Sequence, residues 1–185
     1  MTYPVKNRVR RNAPHLIGLA LTLLMAGLWT GCAYYSFKGT IPVHLKNLRI
    51  ESFENRTAEF NIDQDLDNEL NNRLLQSRLL SVTSAPDADS HIEGIITEVE
   101  DVPSTYDKSE NVLEYRLQLK GQVKWIDDTT GKPLYDKRLN EYGSYFSEVE
   151  NAKLSPDAQR TRADAKAEAI RKFVDRIVES MTEGW

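Results

Sequence analysis

Apolar side chains recur every three or four residues in two stretches of the chain, a spacing typical of amphipathic helices. The first stretch covers residues 62–80, and Asn61 and Gln64 are placed as a capping box at its start. The second stretch follows Ser155, a favourable N-cap, and Pro156, a favourable first helical residue. The pattern places these residues on the core-facing stripe of the second helix: Ala163, Ala167, Ile170, Val174, Ile177 and Met181.

Strict alternation of apolar and polar residues predicts a long strand over residues 113–125. Its odd-numbered positions are apolar or glycine and its even-numbered positions are polar. One face should therefore be buried and the other exposed to solvent. Weaker patterns predict further strands at 42–53, 81–84, 90–101 and 134–146. The last of these should return antiparallel after a hairpin turn in which Gly131 can adopt a positive φ.

The resulting order, β-α-β-β-β-β-α, predicts an α+β fold in two layers. Two helices should pack on one face of a mostly antiparallel sheet, and the face with the even-numbered residues of 113–125 should be open. Gly94, inside a predicted strand, indicates a bulge or a close packing contact. A chain of 185 residues, 40% hydrophobic and 28% charged, suits one globular domain.

The first 31 residues have the pattern of an export signal. Four basic residues precede the apolar run from Leu16 to Trp29, and no acidic residue occurs in this segment. A helix of this length spans about 21 Å, which is less than the ~30 Å of a bilayer core. We therefore expect residues 1–31 to be a lipoprotein signal peptide that is removed, and residues 32–185 to form a single domain.

Cys32, the single cysteine of the chain, directly follows Thr30 and Gly31. These small residues resemble a bacterial lipobox, although Trp29 stands where the usual pattern has an aliphatic residue. A lone thiol has no internal disulfide partner in an oxidising compartment. We expect Cys32 to be the acylated first residue of the mature chain, carrying chains such as palmitate, since several acyl chains anchor a protein stably without a spanning helix.

The formal net charge of −4 is the sum of two unlike parts. Without the four basic residues of the first 31, the chain keeps 20 basic and 28 acidic residues, a net charge of −8. This excess of acid disfavours nucleic acid as a partner, because such binding depends on neutralising phosphates.

No sequence motif indicates catalysis or a cofactor. The chain has no Gly-rich phosphate loop, HExxH or CxxC. His15, His44 and His91 lie far apart in sequence and show no metal-ligand spacing. We expect a protein that is not an enzyme and holds neither metal nor cofactor.

Arg116, Lys120 and Lys124 recur every four residues on the predicted wet face. Residues four apart on a strand share a face and lie about 13 Å apart. Such a row could receive an extended polyanion, such as the phosphates of a glycolipid head group. The plainer alternative is a solvated face whose cations protect the edge of a sheet.

Several segments resemble the lipopolysaccharide-assembly lipoprotein (LptE) family. The opening GCAYYSFKGT is similar to that family's GC-x-YYSF-x-G start, and the strand IPVHLKNLRIESFENRT follows it. The helix LDNELNNRLLQSRLL, the strand SHIEGIITEVEDVP and a last helix ending in EGW extend the resemblance to nearly all of residues 31–185.

The resemblance implies two helices on one face of a mostly antiparallel four-stranded sheet, and a role without catalysis. It also implies a lipid-anchored protein of the outer membrane, on the periplasmic side or within the lumen of an LptD-like β-barrel. The implied partners are that barrel, which the protein helps to assemble, and lipopolysaccharide on its way to the cell surface. Cys32 is the one functional position that carries over. A lipopolysaccharide-binding role for Arg116, Lys120 and Lys124 is a hypothesis from strand periodicity.

Two other functions stay open. The segment FENRT after an N-terminal strand is also similar to other envelope lipoproteins of this layout. The main alternative is therefore a general binding or assembly module for another secretion or outer-membrane complex. The third is a lipid-anchored hydrolase.

Overall fold

The structure is a computed structural model that describes residues 41–182. The predicted signal peptide and Cys32 lie outside the described residues. In chain order the elements are β1 (Asn47–Ile50), β2 (Glu54–Asn55), α1 (Ile62–Ser77), β3 (Ser81–Val82), β4 (Ser90–Tyr106), β5 (Val112–Asp127), β6 (Lys132–Phe146), α2 (Glu148–Asn151), a 3-10 turn (Pro156–Ala158) and α3 (Arg162–Thr182).

The strands form one mixed sheet in the spatial order β3-β1-β4-β5-β6, with β2 paired separately to β4. β4, β5 and β6 are antiparallel neighbours, whereas β1 runs parallel to both β3 and β4. The α+β class is confirmed. The four-stranded sheet is wrong, because the described residues form six strands. They also contain a short helix, α2, in addition to the two long helices.

The strand β2 was not predicted, and it forms because the predicted strand at 42–53 does not continue past Ile50. β1 ends at Ile50, and the chain bends so that the ring of Phe53 is buried over Gly94 in β4. Asp67 holds this bend by accepting hydrogen bonds from the backbone N–H of Phe53 and the hydroxyl of Ser52. The close packing contact predicted at Gly94 is confirmed, since a Cβ there would overlap the Phe53 ring.

One hydrophobic core lies between the helices and one face of the sheet. The alternation predicted for β5 is confirmed, because Leu117, Leu119, Val123 and Trp125 are buried. α1 contributes a stripe with a step of four residues: Ile62, Leu66, Leu70 and Leu74. α3 contributes a wider set: Ala165, Ala169, Ile170, Phe173, Val174, Ile177, Val178 and Met181. Both long helices therefore cover the same face of the sheet, as predicted.

The start of α3 differs from the prediction. Ser155 precedes the 3-10 turn and makes no side-chain cap, whereas Thr161 and Asp164 cap α3 reciprocally through backbone and side-chain hydrogen bonds. Ala163 and Ala167 are exposed. The predicted alanine positions were therefore wrong. The buried alanines are Ala165 and Ala169, which continue the buried row of Phe173, Ile177 and Met181 towards the start of the helix in steps of four residues.

The capping box predicted at the start of α1 is also wrong. Asn61 adopts a left-handed conformation with φ 59° and makes no side-chain hydrogen bond to the helix. The expected positive φ at Gly131, in the β5–β6 turn, is confirmed at +69°. Within residues 41–182, no helix has the length and apolarity of a membrane span.

Candidate functional site on the open face of the sheet

The even-numbered residues of β5 point away from the helices and form, with their neighbours on β4 and β6, the open face. Arg116 is exposed, and the side chains of Lys120 and Lys124 are 37% and 41% exposed. The structure thus brings the three candidate cations to one accessible face. Their surroundings differ, however, from the uniform basic row that the sequence pattern describes.

Lys120 and Lys124 each lie opposite a glutamate of β4. The Nζ of Lys120 is 2.5 Å from the Oε1 of Glu98, and the Nζ of Lys124 is 3.4 Å from the Oε1 of Glu93. Both pairs follow from the register of β4 and β5, in which these residues are direct partners. The two lysines are therefore neutralised locally by carboxylates that the strand pattern of β5 alone could not show.

Arg116 has an aromatic neighbour instead. Its guanidinium carbon lies 4.7 Å from the ring centroid of Tyr142 in β6, a cation–π arrangement. Lys172 of α3 approaches the same ring at 4.7 Å and donates a hydrogen bond to the Tyr142 carbonyl oxygen. Among residues 41–182, no carboxylate forms an ion pair with Arg116. This cation is thus the one of the three that keeps its charge uncompensated by an acid.

A depression of 510 Å³ lies on the open face beside Lys120. Its charged lining consists of three cations, Arg56, Lys120 and Arg138, and its polar lining includes Thr97, Gln122 and Asn140. Neither Arg56 nor Arg138 was predicted from the sequence pattern. They approach Lys120 only because β2 pairs with β4, and because Arg138 lies opposite Gln122 in the β5–β6 register.

Arg56, which directly follows β2, is oriented by an ion pair with Glu54 of that strand. Its Nε and Nη2 donate to the two carboxylate oxygens of Glu54 at 2.8 and 2.9 Å. This bidentate contact lowers the pKa of the Glu54 carboxyl. Since both side chains are more than half exposed, water competes with the pair, and the guanidinium can exchange partners at small cost.

A second charged network lies at the end of the sheet near the start of α3. Arg162 contacts the carboxylates of Glu59 and Asp101, and Asp101 also accepts a hydrogen bond from the hydroxyl of Tyr145. Burial, followed by this hydrogen bond, raises the pKa of Tyr145 to about 12. The network links α3 to β4, to β6 and to the segment before α1. Its role is therefore to stabilise the packing of these elements.

A third cluster combines imidazole and carboxylate groups. Glu51, His91 and Glu93 each offer one ligand atom, and these atoms lie within 4.8 Å of one another. This group was not predicted from the sequence, in which the three histidines lie far apart and show no metal-ligand spacing. The available signal was the spacing of His91 and Glu93, which alternation places on the same face of one strand.

Comparison with solved structures gives matches at low sequence identity. The hypothetical protein CT253 from Chlamydia trachomatis is 16% identical, with 74% of this chain and 97% of that one covered, at a TM-score of 0.50. Protein XCC0632 from Xanthomonas campestris is 7% identical, with 77% and 90% covered, at 0.50. The rare lipoprotein B from Shewanella oneidensis is 18% identical, with 72% and 92% covered, at 0.44. At these identities the first two similarities show the fold alone.

Sequence comparison gives a match to a family model but to no individual curated protein. No curated protein matches significantly. The model of the LptE family, described as lipopolysaccharide-assembly, matches residues 45–181, which cover every strand of the described sheet and nearly all of α3. This chain therefore belongs to the LptE family of lipopolysaccharide assembly.

Proposed function

We propose that this protein is an outer-membrane lipoprotein that partners an LptD-like β-barrel, supports assembly of that barrel and binds lipopolysaccharide during transport to the cell surface. The match of the LptE family model to residues 45–181 carries the proposal. The protein acts by binding rather than by catalysis.

The membrane anchor in this proposal is Cys32. Residues 1–31 act as a lipoprotein signal peptide, and residues 32–185 form the mature domain. Acyl chains on Cys32 hold the domain at the outer membrane, on its periplasmic side or within the barrel lumen. The cationic segment, the short apolar run and the small residues before the cysteine support this assignment.

In this proposal, lipopolysaccharide binds to the open face of the sheet. Arg116 keeps its charge free of carboxylate partners among the described residues, and Lys120 lines a depression together with two arginines. Lys124 extends the row along β5. Since the mature chain carries a net charge of −8, an anionic ligand is attracted only where cations cluster locally, as Arg56, Lys120 and Arg138 do around the depression. Arg56 and Lys120 would exchange their partly exposed carboxylate partners for the ligand.

Co-purification tests the partnership. The tagged protein, isolated from envelope membranes in mild detergent, should retain one large β-barrel protein in a near-equal amount. A Cys32→Ser variant should lose membrane anchoring and incorporation of labelled palmitate. Isolation with a different secretion or outer-membrane complex, and without such a barrel, would favour the general envelope lipoprotein instead.

Binding of purified lipopolysaccharide tests the open face separately. The variant R116Q/K120Q/K124Q should bind about tenfold more weakly or worse, since each exposed ion pair contributes up to about 1 kcal/mol. A control variant, K108Q/K132Q/K153Q, removes the same charge from exposed positions away from the depression and should bind normally. Glu98→Gln frees Lys120 from its partner and should tighten binding. Equal binding by both triple variants would refute the role of the row.

A further inference from the structure

We propose that Glu51, His91 and Glu93 form a binding site for a divalent transition-metal ion of the zinc class. Parallel pairing of two strands creates the site. Arg49 lies opposite His91, and the pairing continues past Ile50, because the N–H of Glu51 donates to the carbonyl oxygen of Ile92. Side chains two residues apart share a face, so Glu51 lies beside Glu93 on the face that carries His91.

The distances fit three ligands of one ion. The ligand atoms of Glu51, His91 and Glu93 lie within 4.8 Å of one another. Bonds of about 2.1 Å in a tetrahedral zinc site place its ligands roughly 3.4 Å apart. The two glutamates have flexible side chains that are 44% and 42% exposed, so they can close this difference by rotation about their side-chain bonds.

His91 is oriented for this task by a second carboxylate. Its Nδ1 lies 2.7 Å from the Oδ1 of Asp128, and its side chain is only 14% exposed. A carboxylate accepts hydrogen bonds, so Nδ1 is the donor to Asp128, and in the neutral ring Nε2 then has the lone pair that a metal needs. Carboxylate–histidine–metal arrangements of this kind fix the ring and raise the basicity of the ligating nitrogen.

Two neighbouring cations compete for the glutamates. The Nη2 of Arg49 lies 3.0 Å from Glu51, and the Nζ of Lys124 lies 3.4 Å from Glu93. The Lys124–Glu93 pair is about two-fifths exposed and contributes little to stability, whereas Arg49 is 27% exposed. A divalent ion that contacts both carboxylates at once offsets their two charges together, and Lys124 can return to water.

The ligand set selects the class of metal. An imidazole nitrogen with two carboxylates suits zinc and its neighbours among the transition metals, whereas calcium and magnesium prefer oxygen ligands alone. Three protein ligands leave a position for water or an anionic oxygen. A cavity of 200 Å³, lined in part by Glu51, Glu93 and Lys124, provides the space for it. The bound ion would join β1 to β4.

Titration of the purified protein with Zn²⁺ alone, followed by calorimetry in chelator-free buffer, tests the site. The wild-type protein should bind one Zn²⁺ through this cluster. His91→Ala and Glu93→Gln should each lower the affinity at least about tenfold, and Asp128→Asn about 10–100-fold. His44→Ala and Glu98→Gln remove an imidazole and a carboxylate elsewhere, and should leave binding unchanged.

Binding that survives in both Glu93→Gln and His91→Ala would overturn the site, as would wild-type protein that shows no saturable binding. If His91→Ala alters the circular dichroism spectrum, the isosteric Glu93→Gln variant decides the outcome. The titration needs neither lipopolysaccharide nor a barrel. Its failure would therefore leave the function proposed above untouched.

Discussion

Gly143 of β6 lies against the backbone of Ala165 in α3, so closely that a Cβ on the glycine would overlap the alanine carbonyl group. Ala165 and Ala169, on the same side of the helix, are fully buried. The small residues on both elements let α3 approach the sheet at backbone distance. The position of α3 over β6 thus depends on the absence of one side chain.

Gly143→Ala should lower the free energy of unfolding by about 1–3 kcal/mol, because the added methyl group must push the helix away from the strand. Urea denaturation followed by circular dichroism measures the change. Asn140→Ala alters an exposed position of the same strand and should stay within about 0.5 kcal/mol of wild type. Unchanged stability in Gly143→Ala would contradict the close contact.

Leu74 and Leu75 provide a matched pair of adjacent leucines in α1. Leu74 is 1% exposed in the core, whereas Leu75 is 57% exposed. Leu74→Ala should therefore lower the free energy of unfolding by about 2–5 kcal/mol through the cavity that it leaves. Leu75→Ala should change it by less than about 0.5 kcal/mol. Similar losses in thermal or urea unfolding would show that the helix is rotated from the position described.

The carboxylate of Asp127 makes the free energy of unfolding decrease at acid pH. Its buried carboxylate accepts hydrogen bonds from Thr129 and contacts His44, and the bonds from Thr129 hold its pKa well below the ordinary value. A depressed folded-state pKa stabilises the protein above the unfolded pKa of about 3.9, and this contribution is lost as pH falls below it.

Asp127→Asn should accordingly be less stable than wild type at pH 7, and the difference should shrink as pH falls from about 5 towards 3. Urea midpoints measured across this range test the expectation. Asp157→Asn changes an exposed acid in the 3-10 turn and serves as the control. A difference between Asp127→Asn and wild type that stays constant with pH would contradict the assignment.

Arg162 and Glu59 should be energetically coupled. Two nitrogens of Arg162 donate to the two carboxylate oxygens at 3.2 and 2.8 Å. Because the Arg162 side chain is 42% exposed, solvent screening limits the coupling to about 0.5–1 kcal/mol in a double-mutant cycle. The Arg56–Glu54 pair has the same bidentate form with greater exposure and should couple less. Equal coupling energies for the two pairs would count against a distinct role for the Arg162 network.

The long strand and the first helix could be predicted because each has one periodic pattern that packing leaves undisturbed. Leu117 to Trp125 alternate, and the stripe of α1 repeats every four residues. The prediction of one strand over 42–53 was wrong for a tertiary reason. Burial of the Phe53 ring over Gly94 stabilises the fold more than continued pairing of this segment with β4 would. The alanine positions of α3 were wrong because packing against Gly143 of β6 selects Ala165, and the sequence of α3 alone does not contain that contact.

The sequence of β5 predicts which side chains share the open face, but it does not predict their neighbours on other strands. Alternation places Arg116, Lys120 and Lys124 on one face. Which group lies beside each cation depends on the register of other strands, and a shift in register between Ile96 and Glu98 brings Glu98 opposite Lys120. No pattern within β5 contains that information.

The mixed sheet also has a consequence for the order of folding. β4, β5 and β6 are joined by hairpins, so their contacts connect residues that are near in sequence. β1 can pair with β3 and β4 only after the chain that contains α1 has closed on itself, which costs loop entropy. We therefore expect the hairpin half of the sheet to form first and the parallel half to pair with it afterwards. Destabilising changes in β1 should accelerate unfolding while leaving the folding rate nearly unchanged.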